Sequence, residues 1–230
     1  MGVCRFDEVT STNDVAADMA RLGAPHGFCV VAESQIAGRG RRGAKWFSPK
    51  GEGLYMSVII KRDFELLPVA AAVALSNAVC ALSGVMAYIK WPNDVTINKK
   101  KVAGVLIERF STGDRGSFAV MGVGVNVNAR SFPAELSATS IALERGEEAD
   151  KEELRKLFLR ELKRVSDGKR RSGLLEDYRD KCVSIGEKII IEIDNARTEA
   201  VALGVMDDGR LIVETPHGKR TLTSGRALIG

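Results

Sequence analysis

Six consecutive residues, Gly38 to Gly43, contain three glycines and three arginines. Guanidinium groups at this density cannot enter an apolar core, because each buried charge requires a partner that offsets its desolvation. The glycines add backbone freedom that a regular helix or strand does not need. The segment therefore predicts a mobile, solvent-facing loop that closes over an anion.

The glycine spacing of this loop formally matches the fingerprint of dinucleotide-binding folds, with a predicted strand over 28–32 ahead of it. That fingerprint requires a helix that opens at the last glycine and leads to a parallel strand. Residues 46–51 include a proline and a glycine, and the next predicted strand starts at once, at Leu54. A Walker A loop is not indicated either, because no Ser or Thr follows Lys45.

Charge alone leaves two other interpretations of the loop open. It could be an exposed basic loop without a ligand, or an arm that binds nucleic-acid phosphates. The flanking residues favour a small-ligand site, because Gln35 lies before the glycines and Trp46-Phe47-Ser48 after them. Such a loop combines polar side chains with an aromatic surface.

With these flanks, residues 32–57 resemble the signature of biotin protein ligases, enzymes that activate biotin with ATP and attach it to a carboxylase lysine. Further segments match the same family in the same order along the chain. They are Ser-Thr-Asn at 11–13, Lys-Trp-Pro-Asn-Asp at 90–94, and residues 101–108 leading to Gly-Val-Gly-Val-Asn at 122–126. The resemblance covers essentially the whole chain.

The resemblance implies a set of site residues. The residues implied to bind biotin are Ser11, Thr12, Asn13, Gln35, Gly38, Arg39, Gly40, Arg41, Lys101, Gly104, Gly122 and Gly124. The residues implied to bind the nucleotide are Arg39, Arg41, Trp46, Lys90, Asn93 and Asn126. Arg41 and Lys101 are expected to be catalytic, and Asp94 to hold Mg²⁺ or to orient the acceptor amine. For an arginine that members often carry near the C-terminus, Arg226 is a weak candidate.

The chemistry of activation agrees with these residue types. A carboxylic acid with a pKa near ~4 is already ionised at neutral pH, so its reaction with ATP needs no base. The reaction needs positive charge around the α-phosphate, which Arg39, Arg41 and Lys101 can supply. The two histidines, His26 and His217, are far apart in sequence, so neither a zinc site nor a Ser-His-Asp triad is indicated.

Several of these residues also have a purely structural interpretation. The Ser-Thr pair at 11–12 precedes an amphipathic segment, as helix caps do. Gly122 and Gly124 weaken a predicted strand unless a flat ligand, a bulge or a tightly packed helix approaches its backbone. Trp46 is also typical of a core, and Asn126 of a strand end. Both interpretations stay open at this point.

The pattern of predicted elements indicates an α+β fold, with a mixed, mainly antiparallel sheet covered by helices and a small C-terminal SH3-like β-barrel. Hairpin-linked strands, with a turn over 111–116, dominate the first part of the chain. From residue 189 the chain consists of short alternating strands separated by glycine-containing turns. The predicted domains are a catalytic biotin- and ATP-binding domain over 1–182 and an SH3-like domain over 183–230.

Charge, cysteine content and apolar runs indicate which kinds of partner and which compartment to expect. The net charge of +4 is concentrated in the loop and at 99–101, which favours an anionic ligand over DNA. The four cysteines form no CxxC pair, which predicts reduced thiols in a cytoplasmic protein. No apolar run has membrane-spanning length. Since the chain begins at the catalytic motif, we expect no operator-binding domain of the kind that some family members carry.

The resemblance further implies a homodimer and a protein partner, the biotin carboxyl carrier domain of a carboxylase. Two other functions compete with biotin ligation as explanations of these residues. A lipoate or octanoate transferase has a related fold and also modifies a carrier lysine, although those families lack the Gly-Arg-Gly-Arg-Arg-Gly loop. A nucleic-acid-binding protein would use the arginine loop together with the SH3-like module.

Overall fold

A seven-stranded sheet forms the centre of the computed structural model, which describes residues 2–111, 116–166, 171–193, 196–223 and 228–229. Its order is β1-β2-β3-β7-β6-β5-β4. The strands are β1 Val3–Val9, β2 Cys29–Gln35, β3 Gly53–Ile60, β4 Tyr88–Lys90, β5 Asp94–Ile97, β6 Lys100–Ser111 and β7 Ser117–Asn126. Within this sheet β1 and β2 are parallel and the other neighbours antiparallel, so the predicted mixed, mainly antiparallel sheet is confirmed.

Helix α1, Thr12–Arg21, covers one face of this sheet by packing on β2, β3 and β7. Its start is capped by the Ser11 hydroxyl, which accepts a hydrogen bond from the Asn13 amide at 3.3 Å. Gly23, with a φ of 102°, ends it. Small alanines on the buried side bring the helix axis close to the strands. The core on this face comprises Ala16, Ala17, Ala20, Val30, Ile59, Phe118 and Val120.

Three helices cover the opposite face. Helix α2, Leu67–Ser83, is apolar almost all round because it lies between the sheet and the two helices α4, Lys151–Ser166, and α5, Arg171–Lys181. With both faces covered, all eight residues of β3 are buried. A short helix that the sequence did not predict, α3 Ile141–Arg145, is capped by Ser140.

The C-terminal part forms a second, antiparallel sheet with the order β11-β10-β9-β8-β12. Its strands are β8 Lys188–Ile193, β9 Ala196–Val205, β10 Leu211–Thr215, β11 Gly218–Leu222 and β12 Leu228–Ile229. The predicted α+β architecture with a small separate sheet is therefore confirmed. Closure of that sheet into an SH3-like barrel and the domain boundary after residue 182 stay predictions. Most of the turn predicted over 111–116, and Arg226, lie outside the described residues.

The helices and the cysteines of the fold bear on membrane insertion and on thiol reactivity. None of the helices in the described part of the chain has both the length and the apolar composition needed to cross a bilayer. The four cysteines, Cys4, Cys29, Cys80 and Cys182, are free thiols. Burial raises the pKa of the Cys29 and Cys182 thiols, so neither resembles an activated nucleophile.

Candidate active site

A cavity of about 830 Å³ lies between the start of α1, the glycine-arginine segment, the 90–94 turn and strands β6 and β7. Among the described residues, it brings together every residue that the sequence assigned to the site except Gly38. It is also lined by residues to which the sequence analysis assigned no binding role, although several of them belong to the matched motifs. These are Arg42, Gly43, Ala44, Lys45, Phe47, Trp91, Pro92, Thr96, Lys99, Val105, Leu106, Val123, Phe132, Glu135, Leu136, Ser137 and Ala138.

Residues 39–45 fold into a small hairpin, which we call the flap hairpin. Arg39 and Lys45 form a bridge at its base, and the Gly40 amide donates to the Ala44 carbonyl at 2.6 Å. Its tip is one 3₁₀ turn, Arg41–Gly43, with Arg42 at a φ of 54° and Gly43 at 73°. No helix follows and β3 runs antiparallel to β2, so the dinucleotide-binding interpretation is rejected on structural grounds. The mobility of the segment stays a prediction.

Gly38 lies beneath the flap hairpin, outside the cavity lining. A Cβ atom there would be 2.6 Å from the Ser48 hydroxyl and 3.0 Å from the Trp46 carbonyl oxygen. The Gly38 carbonyl accepts from the Trp46 amide at 2.9 Å. The structure therefore gives this glycine a packing role at the base of the hairpin.

A chain of polar contacts links the start of α1 to the sheet. The amide and hydroxyl of Thr12 lie 2.9 and 3.2 Å from the Gln35 side-chain oxygen. The buried Ser57 hydroxyl lies 2.8 Å from the Thr12 hydroxyl and 2.6 Å from the Asn13 amide oxygen. Sequence reasoning missed Ser57. Its signal was a serine inside an otherwise apolar central strand, which has to find a polar partner there.

The glycines of β6 and β7 make room for side chains of the protein itself. A Cβ at Gly122 would be 2.3 Å from the Asn13 oxygen, and a Cβ at Gly124 would be 2.4 Å from the Trp46 ring. A Cβ at Gly104 would be 3.4 Å from the same indole ring. Tight helix packing, one of the open alternatives, therefore explains Gly122. At Gly124 the flat group against the strand is Trp46.

Trp46 is therefore a wall of the cavity. Its indole N–H is buried and has no hydrogen-bond partner among the residues that the structure describes. An unpaired buried donor costs about 1–3 kcal/mol, so this N–H is a candidate to donate to a ligand. The Lys101 ammonium lies 5.1 Å from the ring centroid, at cation–π distance.

Arg41 carries an incompletely neutralised charge in the cavity wall. Its guanidinium donates to the Asn93 side-chain oxygen at 3.3 Å, and Asn93 is fixed in turn by donating to the Val105 carbonyl at 2.6 Å. Burial, with the nearby Arg42 charge, lowers the pKa of Arg41, although a guanidinium stays protonated. Within the described residues Arg41 forms no ion pair with a carboxylate, so a bound anion would complete its surroundings.

Lys101 is held by both its side chain and its backbone. The ammonium lies 2.7 Å from Asp94 Oδ1. The backbone amide donates to the Ser137 carbonyl at 3.0 Å, and its carbonyl accepts from the Thr139 amide at 2.9 Å. Asn126 donates to the Thr139 carbonyl at 3.0 Å and so fixes the same segment. Lys101 is therefore oriented by several elements before any ligand arrives.

The charge of the cavity wall is strongly positive. Seven cationic residues line it, against two acidic residues, Asp94 and Glu135. The cationic residues are Arg39, Arg41, Arg42, Lys45, Lys90, Lys99 and Lys101. Among the described residues no group of three or more His, Cys, Asp or Glu side chains is placed to hold a metal ion. The arrangement suits a polyanionic ligand.

Comparisons with known proteins agree with this geometry. The family model of the biotin/lipoate A/B protein ligase family matches residues 4–126. The bifunctional ligase/repressor BirA of Bacillus spizizenii is 36% identical over 239 residues, covering 97% of this chain and 73% of that protein. The biotin–[acetyl-CoA-carboxylase] ligase of Paracoccus denitrificans is 30% identical over 234 residues, covering 96% of this chain and 97% of that protein.

Solved structures share the whole fold. The biotin protein ligase of Aquifex aeolicus in complex with biotin and ATP has a TM-score of 0.81 and 26% identity, covering 99% of both chains. The Leishmania major biotin protein ligase in complex with biotinyl-5-AMP has a TM-score of 0.70 and 28% identity, covering 97% of this chain and 99% of that one. The chain therefore belongs to the biotin protein ligases of the biotin/lipoate A/B protein ligase family.

Proposed function

We propose that this chain activates biotin with ATP to give biotinyl-5′-AMP and then transfers biotin to a lysine of a biotin carboxyl carrier domain. The observation that carries the proposal is that Lys101 and Arg41 lie in the wall of one cavity, where Arg41 is half-buried and has no carboxylate partner among the described residues. Relatives of the same fold have been solved with biotin and ATP and with biotinyl-5-AMP.

In the first half-reaction a biotin carboxylate oxygen attacks the α-phosphorus of ATP, and the bond to pyrophosphate breaks. The carboxylate needs no base because it is already ionised. Negative charge accumulates on the α-phosphate oxygens, where Arg41 is suited to a bidentate contact and Lys101 to a point contact. Lys90 and Asn93 also line the cavity, within the 90–94 turn, and are proposed nucleotide contacts.

We place the biotin ring system at the other end of the cavity, against Ser11, Asn13, Gln35 and the β6–β7 glycines. A ureido group has donors and an acceptor in one plane, and the capped start of α1 offers matching hydroxyl and amide groups. The Ser11 hydroxyl has two acceptor lone pairs and a donor, and only one of these is used in capping. Trp46 would cover the ligand on the hairpin side.

Magnesium is proposed to enter with ATP. The donor set fits a metal held mainly by phosphates and water, because the described part of the chain lines the cavity with two carboxylates, Asp94 and Glu135, and Asp94 already pairs with Lys101. A bound Mg²⁺ would supply additional positive charge to the phosphates. Asp94 remains a proposed ligand or a group that orients the acceptor amine.

In the second half-reaction the lysine amine of the carrier attacks the acyl carbon of biotinyl-5′-AMP, an amide bond forms, and AMP leaves. The amine starts near pKa ~10.4 and must lose a proton first. Asp94 lies next to Lys101, close to the proposed anhydride, and is suited to hold the incoming ammonium before its proton is lost.

The assembly and location are proposed from the resemblance. We propose a catalytic domain over 1–182 and an SH3-like domain over 183–230, a homodimer, a cytoplasmic location and no binding to DNA. Supporting observations are the separate C-terminal sheet and the free thiols of all four cysteines.

One rival deserves a direct test because the matching family model also includes lipoate ligases. Purified protein is incubated with labelled biotin, ATP and Mg²⁺, with and without a carrier domain, and products are separated by chromatography. We expect biotinyl-5′-AMP without the carrier and biotinylated carrier with it. Excess unlabelled lipoate should not compete. Competition by lipoate supports the rival, and a complete absence of biotinyl-5′-AMP contradicts the proposed function.

A further inference from the structure

Arg39 and Arg41 are two residues apart in the flap hairpin but have opposite surroundings. The Arg39 guanidinium donates to both carboxylate oxygens of Asp14, at 2.7 and 2.6 Å. It also contacts Glu108 on β6, with distances of 3.4 and 3.3 Å to the two oxygens. Among the described residues, the hydrogen-bond partner of Arg41 is the neutral Asn93. The charge of Arg39 is therefore already neutralised by two carboxylates, whereas that of Arg41 is not.

Glu108 connects this cluster to the proposed biotin site. Its carboxylate accepts from the Asn13 side-chain amide at 2.6 Å, while the Asn13 oxygen lies 2.6 Å from the Ser57 hydroxyl. Asn13 is thereby fixed in the narrow space above Gly122. One carboxylate on β6 thus fixes both a residue at the start of α1 and the base of the flap hairpin.

We propose that Asp14 and Glu108 are positioning residues, which hold Arg39 as a tether and so keep the flap hairpin closed over the acyl-adenylate, leaving the phosphate contact to Arg41. This inference rests on the proposed function, since it concerns retention of biotinyl-5′-AMP. It revises the expectation that Arg39 binds the nucleotide. The hydrogen bonds from Arg39 also lower the pKa of Asp14, which favours the ionised carboxylate.

The tether does not alter the chemistry of either half-reaction; it controls how long the intermediate stays enclosed. An opened hairpin admits water to the mixed anhydride and lets the intermediate diffuse away. The pair with Asp14 is partly exposed, with 34% and 48% of the two side chains accessible. A pair of this kind contributes modestly, so we expect an effect of about fivefold when it is broken.

The test measures the first-order loss of biotinyl-5′-AMP from the full-length protein after a single turnover without a carrier. Glu108→Gln keeps an oxygen that can accept from Asn13 and removes only the charge. We expect this variant and Arg39→Gln each to lose the intermediate about fivefold faster. The double variant should be no faster than Arg39→Gln alone, because Arg39→Gln already removes the contact to Glu108 that Glu108→Gln weakens. Asp18→Asn, which breaks an exposed pair with Arg21 on the same helix, is the matched control.

Asp14→Asn provides a second route, because the Asn13 side chain is held by Glu108 and Ser57. Urea unfolding checks that each variant is folded. If folded Glu108→Gln and Asp14→Asn both lose the intermediate at the wild-type rate, the tether is refuted. Additive effects in the double variant, or slower adenylation confined to Arg39→Gln, would instead assign Arg39 to the phosphate. Wild-type protein that forms no biotinyl-5′-AMP contradicts the proposed function itself, which separates the two failures.

Discussion

Arg41 and Lys101 act on the same phosphate in the proposed mechanism, but the structure gives their side chains different constraints. Arg41 reaches the cavity from the flap hairpin through one contact to Asn93. Lys101 lies on β6, paired with Asp94 at 2.7 Å and held by backbone bonds to residues 137 and 139. A residue on a strand keeps its position when the hairpin moves, and a residue on the hairpin does not.

This difference predicts distinct kinetic effects. Lys101→Ala should lower kcat for biotinyl-5′-AMP formation by about 10²- to 10³-fold with little change in biotin affinity, because a preoriented charge at the transition state is lost. Arg41→Ala should in addition speed loss of the intermediate from the enzyme. Rapid-quench kinetics and calorimetric titration of biotin measure the two quantities. Equal effects of both variants on biotin affinity alone would contradict these roles.

Gly124 leaves the space that the Trp46 ring occupies. A Cβ there would be 2.4 Å from the Trp46 ring, closer than real Cβ contacts, so Gly124→Ala must displace the indole. We expect biotin affinity to fall about tenfold or more, because the cavity wall moves with the ring. Gly204→Ala on β9 is the control, since nothing lies within 4 Å of its Cβ position. Unchanged biotin affinity in a folded Gly124→Ala variant would show that Trp46 is not part of the biotin site.

At the scale of elements, α4 is joined to β1 by Glu152. This carboxylate lies 2.9 Å from Arg155 Nε on its own helix and 2.9 Å from Arg5 on β1. Hydrogen bonding from Arg155, then from Arg5, lowers the pKa of Glu152 from 4.5 to about 2. A depressed carboxyl pKa stabilises the fold above the unfolded-state value, and the stabilisation is lost as the pH falls through the folded-state value.

The free energy of unfolding should therefore decrease as the pH is lowered from about 4.5 towards about 2, in part through this one group. Because 37% of the side chain is exposed, solvent screening keeps the contribution small. In Glu152→Gln the decrease should be shallower over the same pH range, and Glu153→Gln, an exposed neighbour, should follow the wild type. Urea unfolding measures the free energy of unfolding of the three proteins across this pH range. Parallel curves for all three would refute the contribution assigned to Glu152.

The helices were largely predictable from the sequence, because caps, stops and apolar runs are local features of the chain. The cap at Ser11 and the stop at Gly23 predict α1, and uninterrupted apolar character predicts α2 as a buried helix. The flap hairpin was not predictable as a hairpin, since no alternating apolar pattern marks it. The partners of Arg39 were not predictable either. Asp14 and Glu108 lie 25 and 69 positions away, and only the tertiary fold brings them to it.

At the scale of the whole molecule, the second sheet is firmly attached to the rest. The Trp91 indole donates to the Gly209 carbonyl at 3.0 Å, and the Trp91 amide donates to the Ser184 hydroxyl at 3.0 Å. One apolar cluster runs from the seven-stranded sheet into β8, β9 and β10. Trp91 belongs to the same 90–94 turn that lines the cavity, so contacts from the C-terminal part hold one wall of the cavity. The change to short alternating strands near residue 189 was visible in the sequence. The apolar core that the two sheets share was not.

In the proposed mechanism the flap hairpin closes over a newly formed biotinyl-5′-AMP and shields it until the carrier lysine arrives. Hydrogen–deuterium exchange of the amides over 39–46 tests it most directly, measured on the protein alone, with biotin, and with biotin, ATP and Mg²⁺. We predict the slowest exchange in the last sample, because the hairpin then contacts the intermediate on its inner side. Equal exchange in all three samples, while biotinyl-5′-AMP is shown to be bound, would contradict the account.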